Sequence, residues 1–455
     1  MKIGSSDLQP PTSRGQNSTA GPADKRGVAE PDSRGAQPVQ PAPQPPCSPA
    51  PHARLWPWLP ILWAGAALAA LRLGQPALLA ALGLAIVWAI GLLSGLGPAV
   101  RTPLDWPVAF ILVWLPVNYW VSADKASSIP AAANLLTGIG VFYLVVAVAR
   151  AGRRPCWPFY GFLLAGAAIL FATLLVPEGL RIRLPLPATA LALARRIGDT
   201  VNANVLAGAL LPPAVVAIGL ALQPGRWPFR VACGLLAVAA AGVMALGASR
   251  GALLGLGIGG LVVMLSLGRG HRIAALVLTL AGAVVVWRIG PGALLDLLGK
   301  GGAAGSLAGR LEIWSRALYA LQDFVFTGIG IGTFHLVIPL LYPYFTVGFD
   351  TPIPHAHNLL LQVGVDLGLP GLWAYATILI LSCGLLLAAL RRTDGRFAAA
   401  AVLGALAAVG GHGLFDAVLW GTKPASLLWW LIGLATVIYL EKEEDGASTI
   451  RTITP

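Results

Sequence analysis

Residues 352–392 read PIPHAHNLLLQVGVDLGLPGLWAYATILILSCGLLLAALRR, and this stretch decides the fold. From Asn358 to Leu390 it is almost entirely apolar, without the strict alternation of a half-buried strand. Its length exceeds the ~20 residues that a helix needs to cross the hydrocarbon core of a bilayer. Because lipid offers no partner to backbone polar groups, we expect this run to be a transmembrane helix.

The composition of the whole chain points the same way. Of the 455 residues, 56% are hydrophobic and 11% are charged, and the mean hydropathy is +0.75. A soluble domain carries about 25% charged residues. The four cysteines show no spacing typical of a metal site or a disulfide framework. We therefore expect an all-α integral membrane protein, with no nucleic acid as a partner and no cofactor.

Apolar runs recur along the chain and predict about twelve transmembrane helices. They are predicted at residues 58–73, 76–96, 106–121, 130–149, 157–176, 202–222, 228–246, 251–267, 273–289, 358–390, 397–419 and 425–440. We predict a transmembrane domain over residues 56–440. It follows a disordered, Pro-rich cytoplasmic tail at 1–55 and precedes a cytoplasmic tail at 441–455.

Arginines alternate with the connections and set the predicted topology. They follow the fourth, sixth, eighth and tenth helices, at Arg150, Arg153, Arg154, Arg226, Arg230, Arg269, Arg272, Arg391, Arg392 and Arg396. Such clusters collect in the cytoplasm. The two longest connections, 177–201 and a loop at 290–357, then face outward, and loops of this length are usually functional.

The first outer connection is itself basic, with Arg181, Arg183, Arg195 and Arg196. Arginines on the outer face depart from the topological rule, which suggests an anionic ligand. Contact with lipid headgroups explains any one of them equally well.

Two further arginines are candidates for anion binding on the predicted outer face. Arg250 lies in a short turn between two apolar runs, a position where an ionisable residue is either functional or a helix-end anchor. Arg310 opens a segment in which Leu311, Trp314, Leu318 and Leu321 recur at helical spacing and predict an amphipathic helix. Glu312 and Arg316 are four residues apart and can pair, whereas Arg310 has no such neighbour on its face.

His355 and His357 stand where the long outer loop meets the long apolar run. We predict that the helix begins near His357, whose ring the helix N-terminus keeps neutral and able to accept a proton from a hydroxyl. Free N–H groups at the same helix start could hold a phosphate. A zinc pair completed by Asp350 is the alternative. Further on, His412 and Asp416 are four apart; we interpret His412 as structural, and the role of Asp416 stays open.

Arg250, Arg310 and His357 all fall on the outer side of the predicted topology. Two permanent cations and a neutral base describe a site for an anionic leaving group and a hydroxyl nucleophile. A diphosphate leaving group would suit these residues.

Several segments resemble the O-antigen ligase and O-antigen polymerase superfamily of bacterial envelopes. The resemblance runs from about residue 202 to residue 416 and lies in the order of short motifs around one long loop. The motifs are Asn202-Ala203-Asn204-Val205-Leu206-Ala207-Gly208, Ser249-Arg250-Gly251, Gly309-Arg310-Leu311-Glu312-Ile313-Trp314, Gly328-Ile329-Gly330, His355-Ala356-His357-Asn358, and Gly364 with Gly368-Leu369-Pro370-Gly371.

The resemblance implies a C-type membrane glycosyltransferase of the bacterial inner membrane. Such enzymes take a glycan from undecaprenyl diphosphate at the periplasmic face, without a required metal. Arginines at positions like Arg250 and Arg310 would engage the diphosphate. His357, which precedes Asn358, would activate the acceptor, and His355 is the alternative base. The acceptor we favour is lipid A-core; a growing glycan in a polymerase and a protein hydroxyl in an oligosaccharyltransferase are the alternatives.

Two other classes of function compete with a transferase. A transporter or lipid flippase would place polar groups near the middle of the membrane and use broken helices. Pro212 and Pro213 inside the sixth predicted helix are compatible with that class. A structural subunit would not need Arg250, Arg310 and His357 on one face.

Overall fold

The apolar runs form helices. The computed structural model describes residues 58–94, 101–151, 156–175, 203–290, 306–348, 351–391 and 396–451, and every regular element in these ranges is helical. In chain order they are α1 (Leu59–Leu73), α2 (Gln75–Leu93), α3 (Asp105–Val121), α4 (Lys125–Ala151), α5 (Trp157–Leu175), α6 (Ala203–Ala221), α7 (Trp227–Leu246), α8 (Arg250–Ser266), α9 (Arg269–Ile289), α10 (Leu307–Asp323), α11 (Phe334–Leu341), α12 (Leu359–Ala389), α13 (Arg396–Gly413) and α14 (Ala425–Arg451).

Seven helices in the described ranges are long and apolar enough to cross a membrane: α2, α4, α6, α7, α9, α12 and α13. Shorter apolar helices include α1, α5, α8 and the first part of α14. The all-helical architecture of a multi-pass membrane protein is therefore supported. The count of about twelve crossings and the orientation of the loops stay predictions, as does the division at residues 55 and 440.

Small residues bring α8 and α13 into close contact. A side chain at Gly255 would come within 2.7 Å of the carbonyl oxygen of Ala408, and one at Gly259 within 2.7 Å of that of Gly404. Glycines at this spacing let two helix backbones approach each other in a membrane. This contact fixes the start of α8 relative to the end of α13, and both ends carry candidate site residues.

The segment between α9 and α12 has its own apolar core in its described part. Buried side chains of α10, α11 and the following loop pack together, among them Ile313, Phe334, Ile338, Tyr344 and Val347. The predicted amphipathic helix is present as α10. Its buried face is different from the predicted stripe, however, since Leu311 and Leu318 are exposed while Ile313, Ala317 and Ala320 are buried.

The long helix α12 is broken in the middle, which the apolar run did not predict. Gly368 has φ 73° and ψ −179°, and Pro370 follows inside the element. The glycine-rich segment at residues 328–332 packs into this break. Ile329 N–H donates to the Val365 carbonyl at 2.9 Å, and Asn118 Nδ2 donates to the Asp366 carbonyl at 2.5 Å. The segment is thus a turn that, together with Asn118 of α3, satisfies the carbonyls exposed by the break.

His357 does not belong to the helix that it was expected to begin, and one predicted helix end is wrong. Helix α12 begins at Leu359, because His357 has a left-handed backbone with φ 48° and Asn358 is the N-cap. Helix α13 ends at Gly413 rather than near residue 419. Phe415 and Asp416 both donate their N–H groups to the carbonyl of His412, so the chain turns there. Both changes place polar residues in loops instead of helices.

Candidate functional site

The candidate residues come from the ends of four helices. Arg250 is the first residue of α8, and Arg310 lies in the first turn of α10. His357 precedes α12, and Asp416 follows α13. Electrostatic interactions join them: Arg310 interacts with Arg250, with Asp416 and with His357. The structure therefore brings together the groups that the sequence had placed on one face.

The two histidines form one turn. Their rings lie 4.5 Å apart between centroids, at 65°. The His357 backbone N–H donates to His355 Nδ1 at 3.2 Å, and His355 Nε2 lies 3.4 Å from Asp416 Oδ1. A neutral imidazole has one donor nitrogen and one acceptor nitrogen. These contacts make Nδ1 of His355 the acceptor and give its proton to Nε2, facing Asp416.

Asn358 fixes the junction between this turn and α12. Its Oδ1 accepts a hydrogen bond from Leu361 N–H at 3.0 Å, and its Nδ2 lies 3.4 Å from the carbonyl oxygen of Leu414. The cap uses one of the helix-start N–H groups that the sequence had offered for a phosphate. The same side chain joins the histidine turn to the loop that carries Asp416.

Both imidazoles are neutral at pH 7. Burial lowers the pKa of His355 to about 4, and the positive charge of Arg310 is a further cause. Burial likewise lowers the pKa of His357 to about 4; His355 and Arg310 lower it too, whereas Asp416 raises it. From the sequence, we attribute the neutral state of His357 to the positive end of the helix. In the structure, the pKa of His357 is lowered mainly by burial, and also by His355 and Arg310.

Arg310 is half-buried among aromatic and charged groups. Its guanidinium carbon lies 5.5 Å from the centre of the Phe415 ring. Burial lowers the pKa of Arg310 and Arg250 adds to this, while Asp416 raises it; the guanidinium remains a cation. Within the part of the chain that the structure describes, Nε of Arg310 is buried and has no hydrogen-bond partner. A buried donor of this kind is suited to an anionic oxygen.

Helix α10 itself is held in place by its other charged residues. Glu312 and Arg316 approach to 3.7 Å, as their spacing predicts. Glu312 also accepts backbone N–H donors from residues 345, 346 and 347 at 2.6–2.9 Å. Arg316 Nε donates to the carbonyl of Pro343 at 3.0 Å. The pair is structural and orients the helix that carries Arg310.

His412 packs beside the site in the contact between α6, α8 and α13. A side chain at Gly208 would come within 3.1 Å of its Nε2, and one at Gly251 within 3.0 Å of its Nδ1. The ring fills the space that these glycines leave next to Arg250. This placement favours the structural interpretation of His412. Asp416, in contrast, is buried and belongs to the histidine cluster.

His355, His357 and Asp416 are arranged as candidate ligands of a metal ion. One donor atom each from His355, His357 and Asp416 lie within 4.8 Å of one another. A zinc ion ~2.1 Å from each would bring such atoms to about 3.4 Å, the separation of the His355–Asp416 pair. The third ligand of the zinc alternative is thus Asp416, whereas Asp350 lies outside the described residues. Three candidate ligands with an open position resemble a catalytic rather than a structural zinc site.

Several residues near the site were not predicted, and several predicted ones lie elsewhere. Arg181, Arg183, Arg195 and Arg196 lie outside the described residues. The sequence analysis missed Gln362, Asp366 and Trp420, which are buried and hydrogen-bonded next to the histidine turn. The signal was present, since a carboxylate within an apolar run of this length is itself a functional hypothesis.

Comparison with known proteins gives one family. No curated protein matches the chain. A family model described as O-antigen ligase matches residues 235–376, a range that includes Arg250, Arg310 and His357 and ends before Asp416. The match supports placing this chain in the O-antigen ligase and O-antigen polymerase superfamily, whose members are glycosyltransferase-like membrane enzymes acting on lipid-linked glycans.

Proposed function

We propose that this protein transfers a glycan from undecaprenyl diphosphate to an acceptor hydroxyl at the periplasmic face of the inner membrane, and that it ligates O-antigen to lipid A-core. The proposal rests on the position of Arg310, which is close enough to Arg250, Asp416 and His357 to interact with all three electrostatically. Family membership supports the broad activity. The donor, the acceptor and the residue roles are our inference.

The arginines would hold the leaving group. As the bond between the sugar and the diphosphate breaks, its electron pair stays on the phosphate oxygen, where negative charge grows. Arg310 has a buried Nε without a partner among the described residues, and Arg250 lies close enough to act on it electrostatically. Two fixed cations in a partly dry site stabilise that developing charge. This would be the main source of rate acceleration.

His357 is the base in this scheme. Both nitrogens of His355 already have partners, the His357 N–H and Asp416. His357 has a buried Nδ1 with no hydrogen bond to any described residue. It would take the proton of the acceptor hydroxyl while the acceptor oxygen bonds to the sugar carbon. Asp416, which favours the charged form of His357, would stabilise the imidazolium.

Binding of the donor would also raise the pKa of His357. A pKa of about 4 makes His357 a weak proton acceptor in the free protein. A bound diphosphate adds negative charge beside the ring and neutralises part of the Arg310 charge that lowers the pKa. The pKa of His357 would therefore rise when donor binds, and the base would be strong only with its substrate in place.

The break in α12 is the feature that most favours a transporter. Broken helices in transporters leave carbonyls free to coordinate ions. Here the carbonyls of Val365 and Asp366 accept hydrogen bonds from Ile329, Gly330 and Asn118. The break is thus filled by protein, and a transferase agrees better with this arrangement.

The test is His357→Ala in cells that lack the native gene, with membrane expression verified. We expect mature lipopolysaccharide to disappear and undecaprenyl-linked glycan to accumulate. Long stalled chains indicate a ligase, and single repeat units indicate a polymerase. His271→Ala is the matched control, because that ring lies against Phe397 at the start of α13. Wild-type lipopolysaccharide in the His357 variant would overturn the role of His357.

A further inference from the structure

The histidine turn is held from inside α12. The backbone N–H of Ala356, between the two histidines, donates to Gln362 Oε1 at 2.7 Å, and both residues are buried. An amide side chain has an acceptor end and a donor end. The turn can therefore keep this hydrogen bond only while Gln362 presents its oxygen.

Asp366 decides which end of the amide faces the turn. Gln362 Nε2 donates to Asp366 Oδ1 at 2.8 Å, one helical turn further along α12. A carboxylate only accepts hydrogen bonds, so it selects the NH₂ end of Gln362 and leaves the oxygen for Ala356. The other carboxylate oxygen, Oδ2, accepts from Trp420 Nε1 at 2.9 Å.

Trp420 returns this chain of hydrogen bonds to the loop of Asp416. The backbone N–H of Trp420 donates to the carbonyl of Ala417 at 3.1 Å, and the backbone N–H of Ala417 donates to Asp416 Oδ1 at 2.8 Å. The series Ala356–Gln362–Asp366–Trp420, which we call the amide relay, thus joins the two loops that meet directly in the His355–Asp416 contact.

The backbone of the turn needs such support. His357 has φ 48°, a left-handed conformation that a residue with a side chain keeps only when its surroundings hold it. The Ala356 hydrogen bond acts on the peptide next to this residue. Losing it would let the turn relax toward an ordinary backbone and move both imidazoles.

We propose that Gln362 and Asp366 are positioning residues of the transfer site. Gln362 holds the His355–Ala356–His357 turn against Asp416, and Asp366 holds Gln362 in the productive orientation. This inference rests on the proposed function of His357 as the base. A reacting group displaced by about 1 Å can cost on the order of 10²-fold in rate, so a hydrogen bond remote from the substrate can govern kcat.

A charge exchange within the relay provides the test. In D366N, the new amide can donate to the Gln362 oxygen, which turns the Gln362 NH₂ toward the Ala356 N–H. In Q362E, two carboxylates face each other. In the double variant Q362E/D366N, the carboxylate at position 362 accepts from both Ala356 and the new amide, whose oxygen accepts from Trp420. The hydrogen bond to Ala356, the hydrogen bond between positions 362 and 366, the hydrogen bond from Trp420 and the total charge are then restored.

The measurement uses the full-length protein in nanodiscs with undecaprenyl-diphosphate-linked glycan and lipid A-core. We expect each single variant to lose roughly tenfold or more in kcat with little change in donor KM, and the double variant to recover most of it. Backbone hydrogen exchange over residues 353–361 should rise and recover in parallel. Ser382→Ala is the control, since that buried hydroxyl lies beyond the break in α12 and donates to Ile378.

The outcomes separate the two proposals. Wild-type kcat and exchange in the single variants, or a double variant no better than either, would overturn the positioning role. If exchange rises and recovers as expected but even the wild-type protein transfers no glycan, the relay still holds the turn and the proposed transfer activity is wrong.

Discussion

His355 Nε2 lies 3.4 Å from Asp416 Oδ1, although the two residues follow different helices and stand far apart in the chain. The contact joins the loop before α12 to the loop after α13. It also occupies one ring nitrogen of His355, whose other nitrogen accepts a hydrogen bond from the backbone N–H of His357. His357 is left as the ring that can exchange a proton with a substrate.

Replacing Asp416 by Asn should slow transfer without unfolding the protein. The amide keeps the size of the side chain but removes the charge that favours a protonated His357. We expect a loss of about tenfold in kcat, since proton transfer by a positioned base contributes about 10²–10⁴-fold in all. Steady-state transfer with the purified protein measures it. A wild-type rate would mean that Asp416 serves only to orient His355.

Arg310 should not be replaceable by Lys. Lysine retains a charge but lacks the planar fork that binds two phosphate oxygens, and it cannot supply the buried Nε. We expect Arg310→Lys and Arg310→Ala both to lower kcat by about 10²-fold, the scale for loss of one donor to a developing oxyanion. Arg288→Ala, at the exposed end of α9, is the control. Full activity of the Lys variant would contradict bidentate binding.

The buried histidines should make the protein less stable in acid. Their folded pKa of about 4 lies below the unfolded value near 6.5. Between these values the unfolded chain binds more protons, so stability is fully present above pH 6.5 and is lost as the pH falls toward 4. Thermal unfolding between pH 7.5 and pH 4.5 tests this. The double variant H355N/H357N should lose less Tm over that range, by about 2 °C or more.

Glu312 should contribute to stability more than to chemistry. Burial raises the pKa of Glu312. Three backbone N–H donors and Arg316 lower it by more, so the pKa of Glu312 lies below its ordinary value. Glu312→Ala leaves the N–H of the buried residue Val347 without its acceptor, which costs about 1–3 kcal/mol, whereas the N–H groups of the exposed residues 345 and 346 can hydrogen-bond to water. We expect a lower Tm, with kcat per folded molecule within about twofold of wild type, because the side chain faces the 345–347 loop. A rate loss without a Tm change would contradict this.

Chelation should leave transfer intact. Arg250 and Arg310 already supply permanent positive charge near the diphosphate, so the reaction as proposed needs no metal. We expect the same kcat before and after treatment with EDTA, with bound zinc measured by elemental analysis. Zinc in equal molar amount to the protein, together with loss of activity in EDTA, would instead identify His355, His357 and Asp416 as ligands.

The sequence predicted several residues of the candidate site, but not the contacts between them. Arg250, Arg310 and His357 stand out because a charged or titratable group next to long apolar runs is rare. The partners of His355 and the orientation of His357 did not stand out. They depend on a helix that excludes His357, whose backbone is left-handed, and on another helix that ends six residues earlier than expected.

The sequence by itself determined that the chain is an all-helical membrane protein, since continuous apolar runs leave no other way to pair the backbone in lipid. It also determined which polar residues were available for chemistry. Only the tertiary structure decided which of them meet. Asp416 reaches His355 because α13 ends early, and Gln362 reaches Ala356 because the chain folds back before α12. Contacts of this kind depend on how helices pack rather than on spacing along the chain, so local patterns do not encode them.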